Sequence, residues 1–100
     1  MIGNNVCIGE FALIEPGVRI GDDCHIAAHT VLRTGCELGN AVSIDSFCVI
    51  AGLPQTRAHE PSPGKVSIGD HTIVREAVTV NLPTKQDGVT SIGSDCYLMA

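Results

Sequence analysis

Residues 2–50 read IGNNVCIGEFALIEPGVRIGDDCHIAAHTVLRTGCELGNAVSIDSFCVI, and every sixth residue from Ile2 is Ile or Leu. The series runs Ile2, Ile8, Ile14, Ile20, Ile26, Leu32, Leu38, Ile44, Ile50 without a gap. Ile, Leu and Val fill 26 of the 100 positions. Nine such residues in register then arise by chance on the order of a few times in 10⁵, even with six phases to try. The phase returns at Ile68, Val74 and Val80, and again at Ile92 and Leu98. A helix cannot use a period of six, because successive anchors would rotate around its axis. A short strand can, because the anchor and the residue two before it share one side.

The remaining positions of the hexad agree. Two residues before the anchors stand Val6, Ala12, Val18, Cys24, Thr30, Cys36, Val42 and Cys48, then Val66, Thr72, Val78, Thr90 and Cys96, all small or β-branched. Directly after the anchors, Gly3, Gly9, Gly21, Gly39, Gly69 and Gly93 recur. Their placement predicts tight turns with positive φ at these glycines. Strand and turn alternating at this interval describe an all-β chain, a parallel β-helix.

Composition narrows the function. Only Phe11, Phe47 and Tyr97 are aromatic, so the core must be built from branched aliphatics. A net charge of −5, with six basic residues scattered singly, argues against a nucleic-acid stripe or a basic membrane-binding face. No apolar run approaches the roughly 18 residues of a membrane span, and the N-terminus has no signal-peptide pattern. These features predict a soluble, cytoplasmic chain. The five cysteines are odd in number and form no CxxC pair, which argues against a disulfide or zinc framework.

Hexads of this kind resemble the left-handed parallel β-helix of the bacterial hexapeptide acyltransferases, where three hexads make a triangular coil of about 18 residues. That handedness runs against the usual crossover rule and comes from the resemblance alone. Five coils at strand spacing imply a prism roughly 24 Å tall. Sorting hexads onto three faces puts Val18, Cys36, Val66 and Thr90 in one inward stack. Val6, Cys24, Val42, Thr72 and Cys96 form the second, and Ala12, Thr30, Cys48 and Val78 the third. Cys24, Cys36, Cys48 and Cys96 then read as small buried hydrophobes, and Cys7 as an outward thiol. Outside, Leu13, Val31 and Val49 form an apolar stripe suited to a second subunit, unless they are ordinary scattered surface aliphatics. Arg19 and Glu37 lie on another face.

Two segments interrupt the hexads, Gly52 to Lys65 and Asn81 to Ser91. Both are rich in loop formers and predict loops projecting from a corner, where specificity or a passive insertion would reside. Here the chain resembles the acyl-ACP–UDP-N-acetylglucosamine O-acyltransferases of lipid A biosynthesis. The matching stretches are Ile14-Glu15-Pro16-Gly17-Val18, Pro54-Gln55, Ile68-Gly69-Asp70, Arg75-Glu76-Ala77-Val78-Thr79-Val80-Asn81 and Gly93-Ser94-Asp95-Cys96-Tyr97-Leu98-Met99-Ala100. The resemblance covers essentially the whole chain and both loops.

It implies a homotrimeric enzyme moving a 3-hydroxyacyl group from acyl carrier protein to the 3-hydroxyl of UDP-N-acetylglucosamine, with no cofactor and no metal. Such chemistry needs a general base, and a histidine suits it near pH 7. By the resemblance that His lies about six residues beyond Ala100. Residues 1–100 are therefore expected to form a partial β-helix domain that is inactive alone, without the family's C-terminal helical domain. Gln55, Thr56 and Asn81 are the expected substrate-binding residues. Gln55 keeps its place, but Gln55-Thr56-Arg57-Ala58 stands where the family has Gln-Asp-x-Lys, and Leu82 replaces the Arg that usually follows position 81.

His25 and His29 have HxxxH spacing, which brings two ligands together on a helix but not on a strand. His25, His29 and His71 read as surface residues. His59 lies in the loop that the family uses for substrate. The alternatives are the later N-acyltransferase of the same pathway and a non-catalytic β-helix used for assembly or binding. The segment Arg75–Asn81 favours the O-acyltransferase over the first. A carbonic-anhydrase-like protein would need three zinc histidines at a subunit interface, which these four do not supply.

Overall fold

The computed structural model describes residues 1–57 and 64–100. Among the described residues there are thirteen short strands: β1 (Cys7–Ile8), β2 (Leu13–Ile14), β3 (Arg19–Ile20), β4 (His25–Ile26), β5 (Val31–Leu32), β6 (Cys36–Leu38), β7 (Ser43–Ile44), β8 (Val49–Gly52), β9 (Lys65–Ile68), β10 (Ile73–Val74), β11 (Thr79–Asn81), β12 (Val89–Ile92) and β13 (Tyr97–Leu98). Each strand pairs not with its neighbour in sequence but with the third strand along, which is what a three-faced coil requires. The first face stacks β1-β4-β7-β10-β13, the second β2-β5-β8-β11, and the third β3-β6-β9-β12. Every pairing is parallel.

Register follows the hexads. Cys7 lies opposite His25, His25 opposite Ser43, and then Ser43 opposite Ile73, across the first interruption. The inward stacks read from the sequence are those of the structure: Cys36 opposite Val66 opposite Thr90, for example. Ile26, Leu32, Ile44, Ile50 and Ile68 are fully buried along the axis. Each contributes about 1.5–3 kcal/mol by leaving water.

Cys24, Cys36 and Cys48 are buried as expected. Cys96 is half-buried instead, because it lies in the last stacked row of the first face and has a neighbour on one side. Burial pushes the Cys36 thiol up to about 12, and raises Cys24 and Cys48 as well. Polar inward groups reach a carbonyl one coil on. Thr30 Oγ1 donates to the Asp45 carbonyl at 2.7 Å, Thr72 Oγ1 to Gly93 at 2.7 Å, Cys24 Sγ to Gly39 at 3.1 Å and Cys48 Sγ to Arg75 at 3.0 Å.

The corners correct one expectation. Positive φ does not fall on the glycines after the anchors but on the residue three past the anchor, whatever its type. Asn5, Phe11, Asp23, His29, Ala41, Phe47, His71, Ala77 and Asp95 all have φ between 56° and 62° there, and Gly17 and Gly35 hold the same position at 87° and 103°. Glycine follows the anchor for another reason. A Cβ on Gly9 would stand 2.5 Å from the Ala28 nitrogen, and one on Gly69 2.6 Å from the Ser94 nitrogen. Coils approach too closely there for any side chain.

One corner is sealed by a polar ladder. Asp22 Oδ1 accepts the Asn4 N–H, Asn40 Oδ1 the Asp22 N–H and Asp70 Oδ1 the Asn40 N–H, each at 2.8 Å. Side chains thus satisfy turn donors that a short strand leaves unpaired.

Candidate functional site

The corner between the second and third faces is where the coil departs from its repeat. In the first two turns it is compact. Glu15 accepts the Thr34 N–H at 2.9 Å and faces Arg33 Nε at 3.4 Å, while Thr34 Oγ1 donates to the Pro16 carbonyl at 2.9 Å. The Thr34 amide, with Arg33 beside it, holds the Glu15 carboxyl below its usual range. In the third turn Ala51 takes φ 66° directly after the anchor Ile50, two residues early, and the chain leaves the prism. It re-enters at Gly64 and Lys65. In the fourth turn it leaves again after Asn81 and returns at Val89.

Both departures therefore share one corner. The pairing of β11 with β8 slips between Val80 and Asn81, so that Asn81 lies opposite Gly52 rather than Ala51. A depression of about 280 Å3 lies here, lined by Glu15, Arg33, Thr34, Ala51, Leu53 and Leu82. Gln55 and Thr56 are exposed, following the buried Pro54, and the Thr56 N–H donates to the Pro54 carbonyl at 3.0 Å. Asn81 is half-buried, and its carbonyl accepts Thr90 Oγ1 at 2.9 Å. Of the expected residues, Asn81 stands against the root of the segment that carries Gln55 and Thr56. Ala58 and His59 lie outside the described residues.

The other histidines are placed apart. His25 is outward on β4. His71 sits in a left-handed turn, its N–H donating to the Asn40 carbonyl at 2.9 Å. His29 is stacked between Phe11 and Phe47, with ring centroids 5.2 and 5.1 Å away. The sequence reading missed this stack, although the three residues stand one coil apart at equivalent positions. Among the described residues no three His, Cys, Asp or Glu side chains lie close enough to hold a metal ion.

Arg75 and Glu76 belong to a different corner, between the first and second faces. The Arg75 guanidinium donates to the Tyr97 hydroxyl at 2.6 Å and pairs with Asp45 at 3.5 Å and Glu76 at 3.3 Å. The Tyr97 bond, then the two carboxylates, raise its already high pKa. It ties three successive coils beside a shallow depression of about 430 Å3 lined partly by His25, Ser43 and Tyr97. Arg75 there is a cross-coil brace with its charge already matched.

Known proteins carry the same architecture. A family model described as bacterial transferase hexapeptide (six repeats) matches residues 1–34. The crystal structure of a UDP-N-acetylglucosamine acyltransferase from Bacteroides fragilis superimposes with a TM-score of 0.94 and 36% identity, covering 98% of this chain and 38% of that one. Residues 1–34 thus carry the six-residue repeat of the bacterial hexapeptide transferases, and the whole coil superimposes on one solved acyltransferase.

The coil is accordingly the left-handed form of the parallel β-helix. Proteins named acyl-[acyl-carrier-protein]–UDP-N-acetylglucosamine O-acyltransferase from Brucella ovis and from Brucella melitensis biotype 1 are each 30% identical over 100 residues. Each match takes in 99% of this chain and 36% of the relative. The chain thus spans just over a third of the length of the relatives it matches.

Proposed function

We propose that this chain is the β-helix portion of an enzyme that transfers a 3-hydroxyacyl group from acyl carrier protein to the 3-hydroxyl of UDP-N-acetylglucosamine, the first step of lipid A biosynthesis. The observation that carries this reading is the shared corner. On a scaffold matched at a TM-score of 0.94, both interruptions emerge together, with Asn81 opposite Gly52, the residue three ahead of Gln55.

In this reading the residues of the chain bind and orient the nucleotide sugar. The amides of Gln55 and Asn81 can each donate and accept hydrogen bonds, and the Thr56 hydroxyl can do both without charge. Positioning of this kind lowers the barrier by holding the acceptor hydroxyl ready for attack. The base that takes the hydroxyl proton as the thioester is attacked is a His about six residues beyond Ala100. The 100-residue chain alone then binds without turnover. The complete enzyme is a homotrimer of the cytoplasm that needs no cofactor. Among the described residues no helix is long and apolar enough to cross a membrane.

The test is an acyl-transfer assay on the complete gene product, with 3-hydroxyacyl carrier protein and UDP-N-acetylglucosamine. Transfer to the 3-hydroxyl is expected, with Gln55→Ala and Asn81→Ala each raising the nucleotide-sugar KM about tenfold. A folded product that transfers nothing would move the chain to a non-catalytic β-helix scaffold. Transfer only to a glucosamine amine would move it to the N-acyltransferases.

A further inference from the structure

A segment that leaves a β-helix must be held at both ends, because the coil has to resume in register. The ends here are held by one element. At the exit, the Gly52 carbonyl accepts the Leu82 N–H at 2.8 Å. The Leu82 side chain reaches down to the coil two below, its Cδ2 only 3.1 Å from where a Cβ on Gly35 would stand. Leu82 and Leu53 line the same depression. At the return, Gly64 is buried, and a Cβ on it would lie 2.8 Å from Pro83 Cγ and 3.0 Å from the Gly88 carbonyl oxygen. The next residue, Lys65, donates its N–H to that Gly88 carbonyl at 3.1 Å.

The element that does this is closed on itself. Thr90 Oγ1 bonds the Asn81 carbonyl at 2.9 Å, and the Gly88 N–H bonds the Lys85 carbonyl at 3.0 Å. Glycine at 35 and at 64 leaves the room that Leu82 and Pro83 fill.

We infer that residues 82–88 are a clamp on both stems of the first interruption, and that Leu82 and Pro83 are positioning residues for Gln55 and Thr56. The positioning half rests on the substrate-binding reading of those two residues. Gln55 and Thr56 are exposed and lie three and four residues beyond Gly52. Their placement against a bound sugar is therefore inherited from the stem that Leu82 grips.

Leu82→Ala and, separately, Pro83→Ala in the complete enzyme test this by hydrogen exchange and kinetics together. Amides of 53, 55–57 and 64–66 are expected to exchange about tenfold faster, with β4 and β7 unchanged, while the UDP-N-acetylglucosamine KM rises roughly fivefold and kcat stays within about twofold. Should Leu82→Ala loosen every coil, Pro83→Ala decides, since its ring meets the return stem rather than the core. Unchanged exchange in both variants overturns the clamp. Faster exchange with an unchanged KM overturns the positioning role, provided Gln55→Ala run in parallel does raise KM. If Gln55→Ala leaves KM alone, the substrate-binding reading is what fails, and the exchange data still judge the clamp.

Discussion

Gly69 and Ala77 invert the usual expectation about where a turn needs glycine. Gly69 sits where a methyl would strike backbone, 2.6 Å from the Ser94 nitrogen, and its own N–H donates to the Ile92 carbonyl at 2.8 Å, so neither partner can move aside. Gly69→Ala is expected to cost about 1–3 kcal/mol, an overpacking penalty only partly offset by a stiffer unfolded chain. Ala77 holds φ 62°, which disfavours any Cβ. Ala77→Gly should leave stability unchanged or raise it by up to about 1 kcal/mol. Urea midpoints read both, and a Gly69→Ala protein as stable as the parent would refute the close-approach argument. Cys36 gives a second prediction at this scale. Its thiol keeps its proton to about 12 in the folded chain and loses it near 9.0 in the unfolded one, so the folded state binds more protons in between. The stabilisation is complete below pH 9 and is lost as pH rises, at up to about 1.4 kcal/mol per pH unit for this group. Midpoints measured from about pH 8 to 11 should fall, and Cys36→Ala should make the fall shallower while Cys24 and Cys48 still contribute.

The strand stacks obey a rule that the element scale makes testable. Where an inward position is polar it is Thr or Cys, and the same service is done by either: Thr30 reaches the Asp45 carbonyl, Cys48 the Arg75 carbonyl. Thr30→Cys should therefore keep stability within about 0.5 kcal/mol, while the isosteric Thr30→Val should cost about 1 kcal/mol by stranding that carbonyl. Equal losses in denaturant melts would mean that the hydroxyl bond contributes nothing. These stacks were legible in the sequence because a period of six fixes which side chains point inward, and sorting the hexads onto the three faces that the resemblance implies then fixes their neighbours. Corners were less legible. The hexad says that a turn follows Ile8 or Ile26, but not which of three residues takes the left-handed conformation, nor that Phe11, His29 and Phe47 would face each other once it does. Cys96 misled for a related reason, since its type matched the buried pattern while its row has one neighbour.

For the whole molecule, the two interruptions were visible because the anchor positions between Ile50 and Ile68 and between Val80 and Ile92 hold Thr56, Ser62 and Gln86 instead of aliphatics. Their mutual grip was not, because it depends on Gly52 meeting Leu82 and on Gly64 meeting Pro83, pairings that no local pattern encodes. The exterior carries one more consequence. Leu13, Val31 and Val49 stack in register on the second face, with Leu13 54% exposed. Phe11 and Phe47 extend that surface at its corner, 78% and 66% exposed. A flat wall of aligned strands edged by stacked rings offers contact area without moving the backbone. In the trimer proposed above, Val31 lies at the middle of this patch. Val31→Glu would desolvate a carboxylate between two aliphatic neighbours in each contact, at a cost of several kcal/mol. Native mass spectrometry of the complete product is expected to give three protomers for the parent and one for Val31→Glu. A variant that remains trimeric would place the contact on the face of Arg19 and Glu37 or on that of His25 and Tyr97, and a monomeric parent would remove the trimer itself.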